Sequence, residues 1–526
     1  MKIALHDVSG GITAAVVALP LALAFGVASG AGALAGLYGA ILVGFFAALL
    51  GGTPSQISGP TGPMTVIMTV IVAHFSGSPS TAFLVVLLGG MIQIVFGLCG
   101  IGRFIRLVPY PVVSGFMSGI GCIIIILQIP AFLGHDPVSN GLWATLLAVP
   151  LMLSSVDVGA MFVALITLSI VYLTPRHIGK YCPPLLLALV VVTVIAYKFY
   201  PGIDVIGTIP TGVPSILRPE INFDDLLFIV RFALILAVLG SIDSLLTSLV
   251  ADEMTATEHN SNKELIGQGV GNIFAGLLGG LPGAGATMRT VTNIRAGGKG
   301  PMSGIVHSMI LLALVLGFGS LAEHVPLAVL AGILFTVGIN IIDWKYLKIA
   351  YHAPRSGLLI MATTLITTVF VDLIAAVAVG VTMASVLFVA RMSKVQAASL
   401  TLTDNVEQLD GVLLRDSFGV NITITLFVAE GPLSFGVAKD ISRILRGADS
   451  PEVLVVDLTK VTTIDTSATL SIESAISGLD KSKTRVMFCG LSPNVRLVFS
   501  KLKILERCQA HVAQNYTELA VAINSR

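Results

Sequence analysis

Asp243 stands in an otherwise apolar stretch, Leu239-Gly-Ser-Ile-Asp-Ser-Leu-Leu-Thr247, with Thr247 four residues on. On a helix that spacing puts the carboxylate and the hydroxyl one turn apart on one face. A carboxylate, a hydroxyl and backbone carbonyls freed by a break in a neighbouring helix form a cage of hard oxygens that suits Na⁺ or a proton. Ionisable groups in long apolar runs are costly to bury and by default mark function. The plainer alternative is that Asp243 only hydrogen-bonds the backbone of a broken helix.

A second pattern offers the opposite chemistry. Gly59-Pro-Thr-Gly-Pro-Met-Thr-Val66 is echoed by Gly283-Ala-Gly-Ala-Thr-Met-Arg-Thr-Val291, each after a Gly/Pro-rich approach, Gly51–Pro54 and Gly279–Gly283. Gly and Pro interrupt a helix, and the half-helix that resumes begins with unpaired N–H groups and the positive end of its dipole. Two such ends facing one another make an anion site without a buried Lys or Arg. Close helix packing on glycine is the alternative. Arg289 lies in the second motif. Turned to the site it favours a more highly charged anion; turned to the cytoplasm it leaves selectivity alone. Glu264, Gln268 and Asn272 recur at spacing four, a polar stripe for packing against the Asp243 helix or for touching substrate. Arg231 reads as an anchor that snorkels to water, and His74 as an interfacial residue.

The elements that must position these groups follow from composition. Of 526 residues 55% are apolar and 11% charged, against about 25% charged in a soluble domain. So few charges cannot cover a soluble protein of this length, which excludes a soluble enzyme, a nucleic-acid binder and a disordered chain. The net charge of +1 gives no field for DNA. Five scattered cysteines without a CxxC argue against disulfide or zinc frameworks. The absence of a nucleophile–base pair, a Walker motif or a metal-ligand cluster argues against an enzyme.

Apolar runs long enough to cross a bilayer recur up to about residue 393, about fourteen in all. Seven, from Gly11–Ser29 to Pro184–Tyr200, precede the polar stretch Pro201–Asp225, and seven, from Leu226–Ala251 to Leu373–Val389, follow it. An odd number per half inverts the second copy, as in secondary transporters. The first run continues into a span and does not read as a cleaved signal peptide. A cytoplasmic N-terminus puts Arg103, Arg106, Arg176, Lys180, Lys263, Arg295, Lys299, Lys345, Lys348, Arg355, Arg391 and Lys394 on the cytoplasmic side. It leaves little beyond Lys198 and Arg218 outside. The boundary falls in Arg391–Leu400, and residues 394–526 read as soluble α/β. Strands are expected at Ile422–Val428, Val453–Leu458 and Arg485–Gly490, each followed by a helix.

Ala18–Gly26, Gly36–Tyr38, Ser58–Thr65, Asp243–Thr247, His259–Asn272, Gly283–Thr290 and Pro326–Gly332 together resemble the SulP family of inorganic anion transporters. The likeness runs along the whole chain and is greatest to the sodium-dependent bicarbonate carriers of that family. It implies a polytopic α-helical membrane protein of about 14 transmembrane segments in a 7+7 inverted repeat, UraA-like. Spans 1–4 and 8–11 would form a core domain, and spans 5–7 and 12–14 a gate domain. The core would carry its site past the gate as an elevator. Thr61, Ala286 and Thr287 would contact the anion. Asp243, Thr247, Gly285 and Thr287 would hold Na⁺, a coupling ion, with no other cofactor. The substrate would be bicarbonate entering with Na⁺, the alternatives being an H⁺-coupled sulfate or dicarboxylate carrier and an anion channel. A homodimer in the cell inner membrane, with N-terminus and tail cytoplasmic, would follow. The tail resembles a STAS domain. Ser467, in Ile464-Asp-Thr-Ser-Ala468, stands where free-standing STAS proteins carry a phosphorylatable serine, and N-capping explains it equally well.

Overall fold

The computed structural model describes residues 2–103, 108–136, 138, 141–179, 182–207, 216, 225–349, 352, 354–371, 373–404, 408–409, 412–413, 424–448, 451–479 and 484–524. Arg106, Lys180 and Arg218 lie outside these. Two compact units divide at Val381 and Thr382.

The first unit is helical. Its first half contains α1 (Lys2–Ala28), α2 (Ala33–Leu50), β1 (Ser58–Gly59), α3 (Gly62–His74), α4 (Pro79–Leu98), α5 (Tyr110–Phe132), α6 (Gly141–Ser154), α7 (Val158–Leu173), the short α8 (Arg176–Gly179) and α9 (Pro184–Phe199). The second half contains α10 (Leu226–Thr255), α11 (Ser261–Leu277), β2 (Ala284–Gly285), α12 (Thr287–Arg295), α13 (Pro301–Ala322), α14 (Leu327–Ile341), the short α15 (Trp344–Ile349) and α16 (Arg355–Phe370). Helix α17 (Leu373–Ala398) crosses from the first unit into the second.

By length and apolarity six described helices are able to cross a membrane alone. A seventh is added by α6 and α7 if they count as one span bent by 114°. Helix α6, 14 residues that include Pro150, lies outside the apolar runs expected from the sequence. Asp157 ends the bend by capping α7, accepting from the Gly159 N–H at 2.8 Å.

Two groups of helices pack within this unit. Helix α11 lies against α2 and α4, α13 against α1 and α2, and α10 against α4. Separately, α5 packs on α14 and α16, and α7 on α9 and α14. Glycine permits the closest approach in the first group. A Cβ at Gly36 of α2 would stand 1.9 Å from the Ala22 carbonyl oxygen of α1, so no larger residue fits there.

In the second unit β3 (Leu400–Asp404) and β6 (Ile424–Glu430) pair antiparallel, after the small ladder of β4 (Gln408–Leu409) and β5 (Val412–Leu413). β6, β7 (Val453–Lys460), β8 (Arg485–Cys489) and β9 (His511–Ala513) run parallel in the order β3-β6-β7-β8-β9. Helices α18 (Ala438–Arg446), α19 (Thr466–Ser477) and α20 (Pro493–Lys501) follow β6, β7 and β8, as expected. Two cores flank the sheet because inward and outward positions alternate along its buried strands. Phe427, Leu454, Val456 and Phe488 face one core; Leu426, Val453, Val455 and Met487 face the other. The edge strand β3 was not anticipated.

Helix α19 corrects the capping role offered to Ser467. Its N-cap is Asp465, which accepts from the Ala468 N–H at 2.8 Å and from the Phe435 N–H at 2.6 Å. Ser467 is exposed in the first turn. The Asp carboxylate satisfies two donors where the serine hydroxyl would serve one.

Candidate functional site: two broken helices and an oxygen cage

Both Gly/Pro motifs interrupt their helices as the residue types require. β1 and β2 pair antiparallel, Ser58 with Gly285 and Gly59 with Ala284. Gly283 is needed here, since a Cβ on it would lie 2.7 Å from the Gly59 carbonyl carbon. Helix α3 starts after the extended residue Thr61, and α12 after the extended residue Ala286. The two half-helices therefore open from one buried crossing.

Their free donors are few and can be assigned. Thr65 N–H donates to the Thr61 carbonyl and Thr290 N–H to the Ala286 carbonyl, closing the first turns. Pro63 has no N–H, so α3 offers the N–H groups of Gly62 and Met64. The Ala286 N–H is already bonded to the Ile57 carbonyl at 2.9 Å. Helix α12 thus offers the N–H groups of Thr287, Met288 and Arg289. Ala286 lines the opening but does not donate.

The six residues singled out from the sequence fall around this crossing. Thr247 Oγ1 donates to the Gly285 carbonyl at 3.0 Å and lies 2.8 Å from Thr287 Oγ1, joining α10 to β2 and α12. The Gly285 N–H donates to Ser244 Oγ at 3.0 Å, a second tie to α10. Asp243 lies one turn before Thr247 and is buried, its carboxylate beside the Thr61 hydroxyl. Asp243 Oδ2 and Thr61 Oγ1 stand next to each other but neither completes a hydrogen bond of good geometry with any partner. Orphaned buried oxygens are rare and call for an explanation. A carboxylate, three threonine hydroxyls and a backbone carbonyl are the hard oxygen donors that hard cations prefer. Among the described residues no cluster of three His, Cys, Asp or Glu side chains offers a transition-metal site.

The polar stripe of α11 serves packing, the first of its two expected uses, and its hydrogen bonds go chiefly to the two Gly/Pro approaches. Glu264 Oε2 accepts from the N–H groups of Gly52 and Thr53 at 2.8 Å, and Oε1 from the side-chain amides of Gln56 and Gln268 at 2.8 Å. Asn272 grips Gly283, donating to its carbonyl at 3.0 Å and accepting from its N–H at 2.8 Å. The stripe therefore holds both approaches to the crossing, and a hydrogen-bonded route from it to the Asp243 helix runs through Gln56, whose Oε1 accepts from Ser248 at 3.0 Å. Gln56, Ser58, Ser244 and Ser248 join this network although their types alone single none of them out; their signal is position, beside the Gly/Pro breaks and on the Asp243 helix.

Arg289 is 1% exposed, and its Nη2 donates to the Pro60 carbonyl at 3.1 Å. It therefore turns toward the opening of α3. Its Nε and Nη1 are unpartnered, as are both ring nitrogens of the buried His307 on α13. His307 was also missed, although an ionisable group in an apolar run is itself a signal. His74 is half-exposed and stacked on Phe228 with centroids 3.8 Å apart. Arg231 is exposed, 5.9 Å from the Phe232 ring centroid.

A polytopic bundle that opens two half-length helices on a buried, oxygen-rich crossing is built as a membrane transporter. Residues 5–364 match the Sulfate permease family and residues 419–518 the STAS domain. The chain is 46% identical over 516 residues to the bicarbonate transporter BicA of a Picosynechococcus species, covering 95% of this chain and 91% of that one. The solved transmembrane domain of a cyanobacterial BicA superposes with a TM-score of 0.67 at 50% identity, over 71% of this chain and 97% of that one. The solved structure of SLC26A9 shares the fold, with a TM-score of 0.83 at 18% identity over 99% and 90% of the two chains. The chain belongs to the sulfate permease (SulP) family of anion transporters, as a polytopic membrane protein with a C-terminal STAS domain.

Proposed function

We propose that this protein is a secondary transporter that takes up bicarbonate together with Na⁺. The observation that carries the reading is the pair of orphaned oxygens, Asp243 Oδ2 and Thr61 Oγ1, at the mouth of two half-helix N-termini. The anion takes the N–H groups of α3 and α12, with Thr61 and Thr287 beside it and Ala286 lining the opening. Asp243, Thr247, Gly285 and Thr287 hold Na⁺. Without Na⁺ the Asp243 carboxylate repels an anion at this short range; with it the charge is balanced and the helix dipoles prevail. Each ion raises the affinity for the other, which is coupling.

The scaffold reading is a 7+7 inverted repeat of UraA type, with transport domain 1–393 and STAS domain 394–526. Counting α6 and α7 as one crossing, α1 to α9 without α8 give seven, and α10 to α17 without α15 give seven. The antiparallel β1–β2 pairing is what an inverted pair of broken helices requires. The first packed group supplies the moving core, α1–α4 and α10–α13, and the second the gate. The remaining proposals are a homodimer in the cell inner membrane and a cytoplasmic N-terminus and tail.

A second reading, sulfate carried without Na⁺, is favoured by the buried guanidinium of Arg289 at the opening of α3. Uptake of labelled bicarbonate and of labelled sulfate into proteoliposomes, each with and without an inward Na⁺ gradient, separates the two. Bicarbonate uptake that requires Na⁺ is expected. Sulfate uptake indifferent to Na⁺ would retain the anion site, remove the sodium cage and assign the selectivity to Arg289.

A further inference from the structure

Gln128 on α5 is a buried amide without employment. It is 9% exposed, and its side chain has no hydrogen-bond partner among the described residues. It lines a small cavity with Phe25, Thr65, Thr69, Ile124 and Leu334, between α3 on one side and α5 and α14 on the other. The two threonines have spent their protons, Thr65 Oγ1 on the Thr61 carbonyl at 2.8 Å and Thr69 Oγ1 on the Thr65 carbonyl at 3.0 Å. The free side-chain donor in this cavity is therefore the amide of Gln128.

The level of Gln128 is set by its neighbours. At the opening of α3, a Cβ on Gly62 would lie 2.7 Å from Ile124 Cδ1 and 3.0 Å from Ile341 Cδ1, so the anion site now faces isoleucines. Gln128 is one helical turn beyond Ile124, level with Thr65 and Thr69. Helices α3 and α5 rise in the same direction, since higher numbers meet higher numbers. Sliding α3 by four residues, about 6 Å, would bring Thr61 to where Thr65 now stands.

We propose that Gln128 is the gate-side ligand of the transported anion in the outward-facing state, reached when the core slides one turn along α5. The inference rests on the elevator reading above. An amide presents one donor edge and one acceptor. Bicarbonate answers both, with oxygens that accept from Nε2 and a hydroxyl that donates to Oε1. Sulfate only accepts and leaves Oε1 unpaired. Gln128 therefore selects a small oxyanion that carries a proton.

The test uses full-length protein in proteoliposomes, with KM for labelled bicarbonate measured separately at the outer and inner faces. Gln128→Leu is expected to raise the outer KM about tenfold, the weight of one hydrogen bond to a charged group, with the inner KM within about twofold of wild type. A merely structural role would move both together, and either that result or two unchanged values overturns the proposal. A second readout needs no transport. With Cys99, Cys122 and Cys182 replaced by Ala, Thr61→Cys with Gln128→Cys is expected to crosslink in a fraction of molecules. No crosslink in a variant that elutes from detergent as the wild-type protein does overturns the placement of Gln128. A crosslink in this variant, alongside a wild-type protein that takes up no bicarbonate, preserves the sliding motion and refutes the substrate.

Discussion

Asp243→Asn abolishes Na⁺-dependent anion uptake and leaves the protein folded in the membrane. The expectation follows from what the side chain does and does not touch. Oδ2 has no hydrogen-bond partner, so an isosteric amide removes no contact from that atom. It does remove the negative charge that draws Na⁺ to Thr247, Gly285 and Thr287. A unit charge about 4 Å away, at the effective dielectric of a protein interior, contributes about 4 kcal/mol, close to a thousandfold in Na⁺ affinity. Uptake measured against external Na⁺ is predicted to lose its sodium dependence, while the elution profile and thermal midpoint in detergent stay near wild type. Full sodium-dependent uptake by this variant would refute the cage.

Glu264→Ala is predicted to destabilise the transport unit severely. The carboxylate accepts from four donors, the Gly52 and Thr53 N–H groups and the Gln56 and Gln268 amides. Deleting it strands all four in a buried setting, where each orphan costs about 1–3 kcal/mol. Because the donors share one network these costs do not simply add. The variant should give little monodisperse protein, a lowered thermal midpoint and no uptake. Glu264→Gln keeps the shape but turns one acceptor into a donor facing other amide donors, so an intermediate loss is expected. Wild-type stability and transport in Glu264→Ala would show that the network does not hold the crossing in place.

The centre of this architecture was legible in the sequence for simple reasons. Asp243 is conspicuous because charges are rare in its surroundings, and a Thr four residues on shares its helix face. The broken helices are legible because Pro and Gly act on the backbone locally, whatever the rest of the chain does. What could not be read depends on contacts between distant residues. Two-residue strands such as β1 and β2 carry no periodicity, so their pairing appears only in the fold. The bond from Thr247 to Thr287 joins residues 40 apart in sequence. Glu264 looked like packing glue for one helix, and it serves a loop 211 residues away. Helix α6 was missed because 14 residues around a proline are too short for a span when read alone. In Ile464–Ala468 two residues could cap the helix, and the additional donor at Phe435 decides for Asp465.

The claim that most needs testing is that the two ions meet at one crossing and help one another. Na⁺ binding to purified full-length protein, titrated with and without bicarbonate, tests it most directly. Coupling is reciprocal, so bicarbonate must tighten Na⁺ binding by the same factor by which Na⁺ tightens bicarbonate binding. The account predicts equal factors well above one in the wild type, and none in Asp243→Asn. A Na⁺ affinity indifferent to bicarbonate would contradict it.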